Sequence, residues 1–148
     1  MKDIDRPLNK RGRTEGKLMA ERLREKGLVI DQYLCSPAKR TRETVEFFLQ
    51  SLKAPETALK IVDDLYEPSV QDFEKAILSA DNNASTIAII SHNPGITYYA
   101  GMVTEVSIDH MPTTGIFVFG SEAKTWAEFL HTKKEFLFFE SPKIVANL

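Results

Sequence analysis

Cysteine is nearly absent from this chain, and so is any long apolar run. Cys35 stands alone among 148 residues, which excludes an intrachain disulfide and a cysteine-rich metal site. The apolar stretches fall well short of the ~20 residues a membrane-spanning helix needs. The opening MKDIDRPLNK also lacks the apolar core of a secretory signal. Excess charge is missing too. With 19 Lys and Arg against 21 Asp and Glu, the net charge is -2, and no general field draws the molecule to nucleic acid or to a membrane surface. Any anion site must therefore be local. No internal repeat, low-complexity tract or long linker divides the chain, so residues 1–148 read as a single cytoplasmic domain able to bury a core.

The residues that are present alternate between helix and strand signals. Asn9 can cap a helix running to about Lys26, with Met19, Ala20 and Leu23 as its apolar stripe and Gly27 as its stop. A strand at Gln32 to Cys35 follows. Ser36 and Pro37 then read as N-cap and first position of a helix to about Leu52. Lys60 to Leu65 reads as a short strand, and Ser69-Val70-Gln71-Asp72 as a capping box opening a helix through Phe73, Ala76, Ile77 and Ala80. Thr86 to Ile90 is an unbroken apolar, β-branched run, expected for a strand covered on both faces. Pro94 suits the first turn of a helix through Tyr98, Tyr99 and Met102. After the Pro112-Thr113-Thr114-Gly115 turn, Ile116 to Phe119 and Trp126 to Leu130 read as an antiparallel strand pair. The pattern predicts an α/β fold, a three-layer sandwich with a mostly parallel sheet and helices on both faces.

In such folds ligands bind at the loops leaving the carboxyl ends of the strands. Two of those loops share a design. In YLCSPAKR and IAIISHNPG a strand runs into a capping residue, a proline and a new helix, where free N–H groups and the helix dipole favour an anion. His92 lies in one of these loops, although position alone equally suits a hydrogen-bonded turn histidine. Arg40 lies in the other, its planar fork suited to bidentate phosphate contact. A solvated helix face beside Lys39 and Arg42 is its plainer explanation. Arg6, held extended before Pro7, either reaches the same crevice or pairs with Asp3 or Asp5 at the surface.

Five segments, DRPLNKRG (Asp5 to Gly12), SPAKRTRET (Ser36 to Thr44), LYEPS (Leu65 to Ser69), SHNPG (Ser91 to Gly95) and MPTTG (Met111 to Gly115), occur in one order. Together they resemble the phosphohistidine phosphatase, SixA-like, branch of the histidine phosphatase superfamily, which also includes the phosphoglycerate mutases. The resemblance implies a phosphoglycerate mutase-like fold. It implies that Arg40 and Arg6 bind phosphate and that His92 is the second active-site histidine, contacting the transferring phosphoryl group. Glu67 in LYEPS stands as a candidate acid, with an exposed carboxylate before Pro68 as its plainer explanation. Asn9, Gly12, Pro94, Thr113 and Gly115 fall at positions that shape the site.

The family's nucleophile, a histidine in an Arg-His-Gly or Arg-His-Ala motif closing the first strand, has no counterpart here, because no Arg-His pair occurs. His110 and His131 lie in other contexts, and Cys35 has no base beside it. Met1 matches an internal position of the family's chain. The expectation is therefore a domain whose first strand is missing from these residues, leaving a gap in the sheet to be met by a partner chain, a homo-oligomer or strand exchange. The expected activity is phosphoryl transfer from protein phosphohistidine or a small phosphoester, without metal or organic cofactor and with turnover lost in these residues. A non-catalytic phosphate- or phosphohistidine-binding module and a phosphoglycerate mutase-like enzyme are the alternative readings.

Overall fold

The computed structural model describes all 148 residues. After a 3₁₀ turn at Asp3–Asp5, helix α1 (Lys10–Glu25) leads to strand β1 (Gln32–Cys35), helix α2 (Lys39–Ser51) and strand β2 (Leu59–Ile61). Helix α3 (Val70–Leu78), strand β3 (Ile87–Ile90) and helix α4 (Gly95–Thr104) follow. The chain ends with strand β4 (Ile116–Gly120), helix α5 (Trp126–Phe129), strand β5 (Glu135–Glu140) and helix α6 (Pro142–Ala146). No helix is long and apolar enough to cross a membrane.

Strands β2, β1 and β3 form a parallel sheet in that order, with Tyr33 opposite Leu59 on one side and Ala88 on the other. Successive side chains of β1 point to opposite faces, and the two hydrophobic clusters divide accordingly. Tyr33 and Cys35 pack with Met19, Leu23, Val45 and Phe48 of α1 and α2. Leu34, on the other face, packs with Leu65, with Phe73 and Ile77 of α3, and with Tyr99 of α4. The expected α/β sandwich is thus present. Burying a side chain such as Leu34 completely contributes on the order of 1.5–3 kcal/mol.

Local signals set most helix starts. The Asn9 side chain accepts from Gly12 N, and Ser69 with Asp72 forms the full capping box. The second helix departs from expectation. It begins at Lys39 with Ala38 as its N-cap, because the Ser36 hydroxyl instead accepts from Ala38 N and closes a tight turn before the helix. The strand expected at Lys60 to Leu65 is shorter, since Asp63–Leu65 curls into a 3₁₀ turn. The largest correction concerns Trp126 to Leu130. This segment is helical, with the Thr125 hydroxyl accepting from Glu128 N, and the antiparallel partner of β4 is β5. The buried Glu140 at the end of β5 is held by Arg22 at 3.3 Å and Lys26 at 3.4 Å, fastening this hairpin to α1.

The sheet is not continuous. β3 pairs only with β1, and β4 only with β5. Between β3 and β4 lies a cleft of about 880 Å³. All residues of both strands are half-buried, so β3 is less enclosed than its apolar run predicts.

Candidate functional site

The loops that follow β1 and β3 meet at the carboxyl end of the parallel sheet. Ser36 N donates to Ile90 O, extending the β1–β3 ladder into the first loop. Thr41 Oγ1 bridges the Ser36 and Ala38 carbonyls and fixes the turn that launches α2. The second loop is anchored by Ser91, whose hydroxyl donates to Leu65 O, and by His92 O accepting from Ile96 N. The Asn93–Pro94 peptide is cis. Gly95 is required for close approach: a Cβ there would stand 2.8 Å from Pro68 O. The Asn93 amide also donates to Met111 O, which brings the segment before β4 to the same end.

His92 and Arg40, separated by 52 residues, are side by side here. Arg40 Nη2 lies 3.5 Å from His92 Nδ1, and His92 Nε2 lies 2.7 Å from Ser36 Oγ. A guanidinium can only donate, so Nδ1 is the acceptor and Nε2 carries the proton toward Ser36. Burial lowers the His92 pKa from its ordinary value, and the Arg40 charge adds to this against the opposing Asp3 carboxylate. The neutral imidazole and the assigned tautomer therefore agree. Tyr66 of LYEPS packs edge-on against the ring, with centroids 5.5 Å apart.

The Arg40 fork already holds an anion. Nη1 donates to the Asp3 carbonyl at 3.0 Å and Nη2 to Asp3 Oδ2 at 3.2 Å. The Tyr66 hydroxyl donates to the same carboxylate oxygen. The bond from Tyr66, then the bond and charge of Arg40, keep the Asp3 carboxyl below its usual pKa, and the Arg6 charge acts in the same sense. The structure thus gathers Arg40 and His92 with Ser36, Tyr66 and Asp3. Arg6 is exposed; its backbone N–H donates to Asp3 O at 3.1 Å, but its side chain makes no hydrogen bond to this group. Glu67 is exposed and makes no side-chain hydrogen bond to it. The sequence reading missed Tyr66 and the pairing of Asp3 with Arg40 rather than Arg6. Tyr66 lay inside a motif already singled out, whereas the Asp3–Arg40 pair has no local signal.

Other groups do not join this chemistry. Burial pushes the Cys35 thiol up to about 12 and keeps it protonated. No group of three or more His, Cys, Asp or Glu side chains is placed to hold a metal ion.

Because the Asp3 carboxylate occupies the Arg40 donors, Asp3→Asn is expected to tighten binding of inorganic phosphate by roughly two- to fivefold, as for a partly exposed ion pair. Titration calorimetry checks this. Weaker binding would mean that Asp3 holds Arg40 in place for the ligand rather than competing with it.

The family model for the histidine phosphatase superfamily (branch 1) matches residues 1–82. An uncharacterised protein of Mycobacterium leprae is 29% identical over 150 residues, covering 95% of this chain and 89% of its own length. A probable phosphatase of Schizosaccharomyces pombe is 42% identical over 71 residues, 48% of this chain and 32% of its own. Among solved structures, SixA from Nakamurella multipartitia superposes with a TM-score of 0.83 at 21% identity, over 96% of this chain and 88% of that one. The protein histidine phosphatase SixA complexed with tungstate gives 0.80 at 23% identity, over 96% and 88%. At these identities the structural likeness is one of fold.

Proposed function

Because this chain belongs to the histidine phosphatase superfamily (branch 1), we propose that its site receives the phosphoryl group of a phosphorylated protein histidine or of a small phosphoester. Arg40 supplies the bidentate contact and His92 faces the phosphoryl oxygens. The first turn of α2 offers the backbone N–H groups of Lys39 and Arg40 and the positive end of the helix. Arg6 is a further cation that can close over the anion from the Asp3–Asp5 turn, and Glu67 a candidate acid at the rim. Tungstate, bound by a SixA protein of the same fold, is a tetrahedral oxyanion like phosphate, which agrees with this reading. The observation that carries it is the Arg40 fork seated on a carboxylate beside His92, at the loops where an α/β sheet binds ligands.

Within these 148 residues the proposed activity is recognition of phosphate rather than its turnover. No Arg-His pair occurs, Cys35 is a buried, protonated thiol, and His92 directs its protonated nitrogen at Ser36. Covalent phosphoryl transfer needs an unprotonated nucleophile in line with the leaving group. A phosphohistidine-containing peptide is expected to bind and remain intact over hours with stoichiometric protein, followed by phosphorus NMR. Catalytic release of phosphate by the purified 148-residue chain, lost in His92→Gln, would replace the binding reading with the enzymatic one.

The proton state of His92 gives a second test. Burial and Arg40 favour its neutral form when the site is empty, and a bound dianion favours the cation. Anion binding is then coupled to proton uptake, so affinity rises as pH falls. Sulfate keeps its charge between pH 8 and 5.5, and Asp3 stays ionised there because its pKa is lowered. Sulfate is expected to bind several-fold more tightly at pH 5.5, up to about tenfold for each unit by which the anion shifts the histidine. In His92→Gln the profile is expected to be flat. A rising affinity that survives this replacement would place the titrating group elsewhere.

A further inference from the structure

We propose that the paired first turns of α1 and α2 form a docking face for an acidic polypeptide segment on one side of a phosphorylated histidine. The proposal rests on the anion-site reading above and narrows the kind of protein that site receives.

Gly16 of α1 lies against Phe47 of α2, where a Cβ would stand 2.6 Å from the ring, and one turn further on Ser51 Oγ of α2 donates to Ala20 O of α1. The two helices therefore run side by side in the same direction. Because α2 leaves the carboxyl end of β1, both helices start at that end, beside Arg40. Leu8 ties the two starts together: its N–H donates to Glu43 Oε1 of α2, and its carbonyl accepts from Arg13 Nη1 of α1. These starts break a local rule. The N-terminal turn is the positive end of the helix dipole and is favoured by acidic side chains, yet neither α1 nor α2 has one there. Lys10, Arg11 and Arg13 stand at one start, and Lys39, Arg40 and Arg42 at the other. Helix α3, packed in the other hydrophobic cluster, obeys the rule with Asp72 in its capping box. Cations set against two adjacent dipoles cost folding stability, and a local rule broken in this way marks a functional surface.

Most of these cations are not neutralised within the chain. Arg11 pairs with Glu15 and Arg40 with Asp3, but Lys10, Arg13, Lys39 and Arg42 are exposed and form no ion pair. Arg13 and Arg42 are held on neutral carbonyls instead, Nη1 of the first on Leu8 O at 2.8 Å and Nε of the second on Pro37 O at 3.0 Å. Each guanidinium is thereby fixed in place with its charge and its other N–H donors free, which lowers the ordering cost of gripping a carboxylate. The opposite flank of the site carries the reverse sign. Exposed Asp63, Asp64 and Glu67 lie between β2 and α3, on the segment whose Tyr66 packs against His92. Of these three acids only Asp64 has a cationic partner, Lys75 at 3.7 Å. A continuous polyanion such as a nucleic acid, laid across the site, would meet cations on one flank and carboxylates on the other. A polypeptide that is acidic on one side of its phosphohistidine and neutral on the other meets only the cations. Charge arranged in this way steers one partner and rejects others.

The test uses the 148-residue protein and three fluorescent peptides, each with a single phosphohistidine: one with neutral flanks, one with a run of aspartates on the amino side and one with the same run on the carboxyl side. Anisotropy in phosphate-free buffer is expected to show one of the two acidic peptides binding roughly tenfold more tightly than the neutral one, as for several exposed ion pairs acting together. Arg13→Gln combined with Arg42→Gln is expected to remove most of that gain. The same double variant is expected to keep its affinity for inorganic phosphate within about twofold by calorimetry, since charges at the rim are screened by salt. Equal affinity for the neutral and both acidic peptides, with inorganic phosphate still bound, would overturn the proposal and leave the anion-site reading standing. Failure of the unsubstituted protein to bind inorganic phosphate would remove both. An equal gain from aspartates on either side would overturn the proposal in favour of diffuse attraction, and a 5′-phosphorylated oligonucleotide bound as tightly as the better peptide would overturn it in favour of nucleic acid.

Discussion

Arg40→Ala is expected to weaken binding of inorganic phosphate by roughly ten- to a hundredfold while leaving thermal stability almost unchanged. The side chain lies on the first turn of α2, part-exposed, and its hydrogen bonds run to Asp3 and His92 rather than into a hydrophobic cluster. Its removal therefore costs little packing. It does remove the one fork of donors that faces both the carboxylate and the imidazole, and hydrogen bonds to a charged group are worth about 1.5–3 kcal/mol. Arg40→Lys should recover only part of the loss, since an ammonium offers a point charge without the planar pair of N–H groups. Calorimetry on the three proteins reads the affinities, and thermal melts read the stability. Equal affinity in all three would remove Arg40 from the anion site.

The second large effect is structural. Phe73 of α3 is 1% exposed and stacks on Tyr99 of α4 with ring centroids 4.8 Å apart. It sits in the cluster that also holds Leu34 of the central strand and Leu65, whose carbonyl anchors Ser91 beside the site. Phe73→Ala is expected to cost about 3–5 kcal/mol, from lost transfer energy and the cavity left behind. That is a large part of the total stability of a domain this size, so a major shift of the urea midpoint is expected. Phe73→Leu should lose far less. Because α4 begins three residues after His92, the alanine variant should also bind phosphate more weakly at temperatures below its melt. A midpoint shift equivalent to under about 1 kcal/mol would show that α3 and α4 are not held through this contact.

The sequence made some of this legible for reasons that differ by element. Gln32–Cys35 and the caps at Asn9 and Ser69 are written in neighbouring residues, and each formed where its pattern predicted. Arg40 and His92 could be assigned to one crevice because parallel strands of an α/β sheet end on the same side. The final hairpin was harder. Trp126 to Leu130 has strand-like composition, yet Thr125 and Glu128 form a helix start, and Trp126 is fixed by a hydrogen bond to Ala84, 42 residues away. Glu135–Glu140 was overlooked as a strand although Phe136, Leu137, Phe138 and Phe139 fill its interior. The Asp3 contacts span 37 residues to Arg40 and 63 to Tyr66, and no local pattern encodes partners at that distance. The gap in the sheet was anticipated from the resemblance. Its location between β3 and β4 came only from the fold.

The central claim is that the loops after β1 and β3 form one phosphate-binding site. The most direct test is an NMR titration of the labelled 148-residue protein with inorganic phosphate, following backbone amides and the His92 ring. The account predicts saturable shifts at Ser36 to Arg40 and at His92, movement of Asp3 and Tyr66 as the carboxylate is displaced, and loss of all of these in Arg40→Ala. Shifts confined to surface lysines, or shifts at these residues that persist undiminished in Arg40→Ala, would contradict it.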